Sequence, residues 1–167
     1  MWRSWLFVLM AGVLRGEVPI SCTKEGDWAL TFDGGPSHYT GQLLGILAKH
    51  NVKATFHITP TYLDNPVIQA YLKRAAADGH LIGLKINDPK NIQKEIDKGR
   101  DALTKYVNRP LKFVRMPMPL PADSVIKSMQ QAGLQVTSFN FDSLDYLAVN
   151  RTINEAGDRC SGHSKTS

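Results

Sequence analysis

The sequence predicts one α/β domain built on parallel strands. Short apolar runs typical of buried strands alternate along the chain with segments whose apolar residues recur at helical spacing. Parallel neighbours in a sheet need a crossover connection, which is usually a helix, so the alternation favours a parallel sheet. The 167 residues are enough for a single domain with a sizeable core. Both an open doubly wound sheet and part of a barrel satisfy this pattern.

Five strands are predicted in chain order. Each is a short run rich in apolar, aromatic or β-branched residues, bounded by turn-forming residues. In either parallel architecture, the chemistry lies at the carboxyl ends of the strands. The predicted strands span residues 28–33, 52–59, 80–86, 112–116 and 134–142, and the polar residues at their ends are Asp33, Thr59, Lys85 to Asp88, Arg115 and Asp142 to Asp145.

A helix is predicted after each of the first four strands. The second begins at Asn65-Pro66, because asparagine caps a helix start and proline suits the first helical turn. The fourth covers residues 124–132, and Gly133 ends it. The apolar stripes of the first and third helices consist of Leu43, Leu44, Ile46 and Leu47, and of Ile92, Ile96, Leu103 and Val107.

Residues 1–16 form a predicted secretory signal peptide. A positively charged start precedes the uncharged apolar run 5–14, which is too short for a membrane span of ~20 residues. A buried N-terminal strand or short helix is the alternative. We therefore expect a secreted protein, extracellular or in the cell wall, with no membrane span after cleavage. The domain then covers residues 17–153, and a polar, mobile tail covers residues 154–167.

Secretion would allow the two cysteines to form a disulfide bond. In an oxidising compartment Cys22 and Cys160 are disulfide candidates, and a bond between them would close a loop across nearly the whole domain. Asn150 begins an Asn-Arg-Thr sequon and is therefore a glycosylation candidate.

The charge distribution argues against a nucleic-acid partner. The chain has 20 Lys and Arg against 15 Asp and Glu, a formal charge of +5. The basic residues are scattered among acidic ones, whereas binding to a phosphate backbone needs a clustered basic surface. We expect no nucleic-acid partner.

Ordered motifs along the chain resemble those of the polysaccharide deacetylase family, the NodB-homology domain that includes the chitin deacetylases. They begin with Thr31-Phe-Asp-Gly-Gly-Pro-Ser37 and continue at residues 50–56, 79–83, 113–117 and 141–146. The resemblance implies a distorted (β/α) barrel that removes N-acetyl groups from N-acetylglucosamine polymers with zinc or cobalt. A complete eight-unit barrel takes ~250 residues. We therefore expect a barrel that is incomplete at its C-terminal end, with an open edge through which copies associate.

The family's site residues are matched only in part. By resemblance, Asp33 is the general base, and Arg115 and Asp142 orient it. Three metal-ligand positions, an aspartate and two histidines in the family, are occupied by Gly34, Lys85 and Pro89. Glycine and proline have no side-chain donor, and an ammonium repels a divalent cation. The family's general-acid histidine is also unmatched, because His163 lies in a tail with no strand pattern around it.

These substitutions predict a secreted, chitin deacetylase-like protein that uses no cofactor, is catalytically inactive and binds chitin or another N-acetylglucosamine polymer. The alternatives are an active metal-dependent hydrolase that removes N-acetyl groups and a truncated product without function. A site rebuilt from Asp33, His57 and Asp88 would need a backbone rearrangement. His57 and His80 are expected to pack inside the barrel wall. Lys85 is expected to enter the vacated metal pocket and pair with Asp33; the alternative is that it extends to solvent with its ammonium unpaired.

Overall fold

The computed structural model describes residues 18–148, and within this range the chain alternates strand and helix. The strands are β1 Thr31–Asp33, β2 Thr55–Ile58, β3 Leu81–Lys85, β4 Phe113–Arg115 and β5 Gln135–Thr137. The helices are α1 Thr40–Lys49, α2 Pro66–Ala77, α3 Ile92–Val107 and α4 Asp123–Gln131. Short 3₁₀ turns follow β2 at Pro60–Tyr62 and β5 at Asp145–Ala148. The predicted order of elements is confirmed.

All five strands are parallel and lie in the sheet in their chain order, β1-β2-β3-β4-β5. A doubly wound sheet reverses its strand order at a switch point, whereas a barrel adds each strand beside the previous one. The consecutive order therefore belongs to a barrel-type winding. Within the described residues, β1 and β5 are the outer strands of this sheet.

Two predicted strands are too long. The first was expected to begin at Trp28, yet β1 begins at Thr31 and the Trp28 side chain is 86% exposed. The last was expected to reach Asp142, but β5 ends at Thr137 and is followed by exposed Phe139 and Phe141. Only three residues of β5 pair with β4, so the apolar residues beyond them have no strand beside them. Apolar composition therefore overstates the length of an outer strand.

The sheet has two chemically different faces because side chains alternate along each strand. One face packs under the helices and is apolar. Its strand residues are Phe32, Phe56, Ile58, Leu84, Val114 and Val136, and they pack with Leu44, Leu72, Leu103, Ile126 and Met129 of the four helices. The opposite face, which we call the inner face, carries Thr31, Asp33, His57, Lys85, Arg115 and Thr137.

The helix boundaries follow from local chemistry. The Asn65 side chain accepts a hydrogen bond from the Val67 amide at 2.9 Å, and Pro66 occupies the first helical position, as predicted for α2. Asn108 ends α3 in the left-handed conformation at φ 53°, just before the Arg109-Pro110 pair. None of the helices within residues 18–148 has the length and apolar character needed to cross a membrane.

Candidate functional site

Strand register brings the polar residues of the inner face together near the carboxyl ends of the strands. Asp33 on β1 is level with His57 on β2. Lys85, Arg115 and Thr137 form a second row across β3, β4 and β5. The cluster arises because side chains alternate between the two faces of each strand, so that polar residues on the inner face are separated by apolar residues that face the helices.

Asp33 is the centre of the cluster. Its Oδ1 lies 2.8 Å from His57 Nδ1, and its Oδ2 lies 3.4 Å from Arg115 Nε. Burial disfavours the carboxylate, but the hydrogen bond from His57 and the charges of His57, Arg115 and Lys85 outweigh that effect. Together they hold the pKa of Asp33 below its usual range. Asp33 is therefore an ionised carboxylate with both oxygens engaged.

His57 links Asp33 to Thr137. The ring is 1% exposed, and its Nε2 lies 3.1 Å from Thr137 Oγ1. Thr137 Oγ1 also lies 3.3 Å from the Val114 carbonyl, to which its hydroxyl donates. Gly83 makes this arrangement possible, since a Cβ at residue 83 would lie only 2.8 Å from His57 Cδ2. The expected burial of His57 is confirmed. No sequence pattern indicates its hydrogen bond to Asp33.

Arg115 is the buried cation of the inner face. The residue is 2% exposed, its Nη2 donates to Thr31 Oγ1 at 3.1 Å, and its guanidinium lies 5.4 Å from the centre of the Phe139 ring. Its Nε and Nη1 are buried and have no hydrogen-bond partner among the described residues. Burial lowers the pKa of Arg115, and the Asp33 charge opposes that shift. The ion pair with Asp33 is therefore the main interaction that offsets the cost of burying the Arg115 charge.

Lys85 reaches toward the position of the missing metal ligand without pairing with Asp33. Its Nζ lies 3.8 Å from the point where a Cβ at Gly34 would stand. The ion pairs of Asp33 within 4.0 Å are those with His57 and Arg115, so the expected Lys85–Asp33 pair is wrong. The physical reason is competition, because two better-placed groups already occupy both Asp33 oxygens.

The metal-ligand positions do not fit a divalent cation. Gly34 has φ +91°, and its amide donates to the His57 carbonyl at 2.9 Å. Pro89 is exposed in the turn after β3. Among residues 18–148, no group of three or more His, Cys, Asp or Glu side chains is arranged to hold a metal ion. The ammonium beside Gly34 adds repulsion to this lack of donors.

Asp142 stands apart from the other residues matched to the family's site. Its carboxylate accepts hydrogen bonds from the Leu144 amide at 3.0 Å and from the Tyr146 hydroxyl at 3.2 Å. Its hydrogen-bond partners in the described range therefore come from its own loop and do not include Arg115 or Asp33. Leu144 adopts a positive φ of 55° within this loop.

The remaining predicted groups lie elsewhere. His80 is buried, and its Nδ1 accepts from the Ala54 amide at 3.1 Å, which confirms the expected packing role. Cys22 is exposed. Cys160 and Asn150 lie outside the described residues, so the disulfide and the glycosylation remain predictions. The predicted boundaries of the signal peptide and tail also lie outside that range.

Comparison with known proteins agrees with this architecture. The family described as "Polysaccharide deacetylase" matches residues 20–137. A chitin deacetylase of Arthroderma benhamiae is 34% identical over 142 residues, covering 78% of this chain and 38% of that protein. This chain therefore spans well under half of that relative's length.

Two solved structures share the fold. The chitin deacetylase of Colletotrichum lindemuthianum has a TM-score of 0.80 at 23% identity, covering 93% of this chain and 73% of the other. BA3943, described as a CE4 family pseudoenzyme, was solved as a mutant with restored enzymatic activity. It has a TM-score of 0.65 at 20% identity, covering 80% of this chain and 51% of the other. By its family match and its barrel-type sheet, this chain belongs to the polysaccharide deacetylase family.

Proposed function

We propose that this chain is a secreted polysaccharide deacetylase-like protein that binds an N-acetylglucosamine polymer such as chitin without deacetylating it. The observation that carries the loss of activity is the Lys85 ammonium 3.8 Å from the Cβ position of Gly34. A cationic side chain lies where the family places a metal ligand. The proposed protein therefore uses no metal cofactor.

The energetic cost of losing the metal is large. A metal-bound water ionises near pH ~7, whereas bulk water has a pKa of ~15.7. At ~1.36 kcal/mol per pKa unit, nucleophile activation loses on the order of 10 kcal/mol. Asp33 acting alone as general base would return a factor of only ~10² to 10⁴. Its two oxygens are in addition already bound by His57 and Arg115.

Exposed aromatic residues support carbohydrate binding. Tyr39 follows β1, Tyr62 follows β2, and Phe139, Phe141 and Tyr146 follow β5. All five lie in connections after the carboxyl ends of strands, the end where parallel α/β folds bind their ligands. Large exposed apolar groups gathered at one end of a domain mark a binding surface, and tyrosine adds a hydroxyl that can hydrogen-bond to a polar ligand. The chitin deacetylase relatives suggest chitin as the first ligand to test.

Two related experiments test the proposal on protein secreted from cells expressing the full chain. Acetate release from N-acetylglucosamine oligomers is expected to stay at background with zinc or cobalt added. A pull-down on chitin beads is expected to retain the protein. Acetate release that depends on added metal would instead support the active hydrolase. Failure to bind chitin would favour a product without function.

A matched substitution sharpens the activity test. Lys85→His replaces the ammonium with a potential ligand but leaves Gly34 and Pro89 without side-chain donors. We expect no gain in acetate release and no stoichiometric zinc by metal analysis. Zinc-dependent activity in this single variant would contradict the proposed basis of inactivity.

A further inference from the structure

The inner-face cluster carries an excess positive charge where a metal site would need negative groups. Asp33 contributes one negative charge, whereas Arg115 and Lys85 contribute one positive charge each, so these three side chains carry an excess of positive charge. Arg115, Lys85 and His57 act electrostatically on Asp33, and Asp33 is the acidic group that acts on Arg115. The cluster is therefore suited to an anion.

The excess charge is located at Lys85. Both oxygens of Asp33 are engaged by His57 at 2.8 Å and by Arg115 at 3.4 Å. Among the described residues, the half-buried Lys85 has no carboxylate within 4.0 Å of its Nζ. A partly buried ammonium without a direct counter-ion is unfavourable, because it loses water contacts without gaining a partner. A bound anion would remove that cost.

Arg115 is a second, independent indication of an incomplete set of partners. It is 2% exposed, yet among residues 18–148 its Nη1 has no hydrogen-bond acceptor, and its Nε contacts Asp33 only as an ion pair at 3.4 Å. Its charge is shared with Asp33 alone among the acidic groups that act on it. An added negative charge beside Lys85 would also be attracted to Arg115 across the inner face, because the partly buried setting weakens solvent screening.

We propose that this cluster binds the carboxylate of an acidic sugar unit, so that the chain prefers a uronate-containing glycan over neutral chitin. A carboxylate supplies the counter-ion that the Lys85 ammonium lacks among the described residues. The exposed aromatic residues at the same end, including Phe139 against Arg115, supply a surface for the sugar ring. This inference rests on the proposed carbohydrate binding and names its ligand class.

Two oligosaccharides of equal length test it. A hyaluronan hexasaccharide alternates N-acetylglucosamine with glucuronate, whereas chitohexaose has only neutral N-acetylglucosamine units. Calorimetry on the secreted protein at low salt is expected to give about tenfold tighter binding of the hyaluronan oligomer, the value of one charge-assisted contact. Equal affinity, or tighter binding of chitohexaose, overturns the inference and leaves the proposed chitin binding intact.

Variants then assign the preference to the cluster. Lys85→Gln is expected to weaken hyaluronan binding about tenfold and so to abolish the difference between the two oligosaccharides. Lys98→Gln, which removes an exposed charge of α3, is the matched control and is expected to keep the preference. Thermal unfolding of both variants checks that they fold. Loss of the preference in the Lys98 variant as well would mean a general charge effect and would overturn the assignment.

A third experiment tests whether the site recognises the sugar ring as well as its carboxylate. Sodium acetate and sodium sulfate are titrated against the protein at the same ionic strength. The inference expects both anions to bind far more weakly than the oligomer. Acetate binding as tight as the hexasaccharide would overturn the sugar assignment. Binding of neither oligosaccharide would overturn both this inference and the proposed carbohydrate-binding function.

Discussion

The two faces of the sheet are held by different forces. The helix-facing side chains are apolar and closely packed, with Leu84, Val114 and Val136 each fully buried. On the inner face, Asp33, His57 and Arg115 interact through hydrogen bonds and charge. Apolar packing tolerates exchange among residues of similar size, whereas a polar network depends on every partner. The comparison explains how the fold can persist when individual polar residues of the inner face are replaced.

The largest effect is expected on the helix-facing side. Leu84→Ala removes a side chain that is 0% exposed and packs closely against Gly99 of α3. The cavity and the lost transfer energy should lower the free energy of unfolding by about 3 kcal/mol. Urea unfolding of wild type and variant measures the change. A loss below about 1 kcal/mol would mean that this face is not the principal source of stability.

On the inner face, Asp33→Asn should destabilise the protein by about 2 kcal/mol at neutral pH, because Arg115 loses its partner and remains buried. The folded-state pKa of Asp33 is below its ordinary value, so its contribution exists above the unfolded-state pKa. That contribution disappears as pH falls through the lowered folded-state pKa. Unfolding curves of both proteins should therefore converge in acid. A constant difference across pH would contradict the ionic origin.

A smaller effect is expected from two glycine substitutions that compare a crowded position with an open one. Gly83→Ala places a methyl group 2.8 Å from His57 Cδ2 and should lower the free energy of unfolding by about 1 to 2 kcal/mol. Gly45→Ala, in α1 with no atom within 4 Å of its added Cβ, should raise it by about 0.5 to 1 kcal/mol. Thermal unfolding measures both, and the NMR signals of His57 should shift only in the Gly83 variant.

The predictability of the fold also differs between regions. Central strands and capped helices were predicted from local patterns, as at Asn65-Pro66, because propensity and packing agree there. The outer strands were overestimated at Trp28 and Phe141, because apolar residues beyond a strand look like the strand itself. The alternation of strands and helices does not determine the strand order, because an open doubly wound sheet and a barrel share that alternation.

The sequence predicts which residues belong to the site, but it does not predict which of their side chains contact each other. The motif identified Asp33 and Arg115, and the structure brings them together on neighbouring parts of one face. The Thr137 hydroxyl lies 80 residues from His57 in the chain, so no local pattern indicated their contact. The expected pair between Lys85 and Asp33 does not form, because His57 and Arg115 contact the two Asp33 oxygens. That competition depends on the three-dimensional arrangement and has no signal in the sequence.

The backbone at Gly34 does not favour the aspartate that the family has at this position. Its φ of +91° is readily adopted by glycine and strained for an aspartate. A mutation to aspartate would meet an unfavourable backbone as well as the Lys85 ammonium nearby. A metal-binding aspartate at this position therefore requires the loop conformation, and not only the side chain, to change.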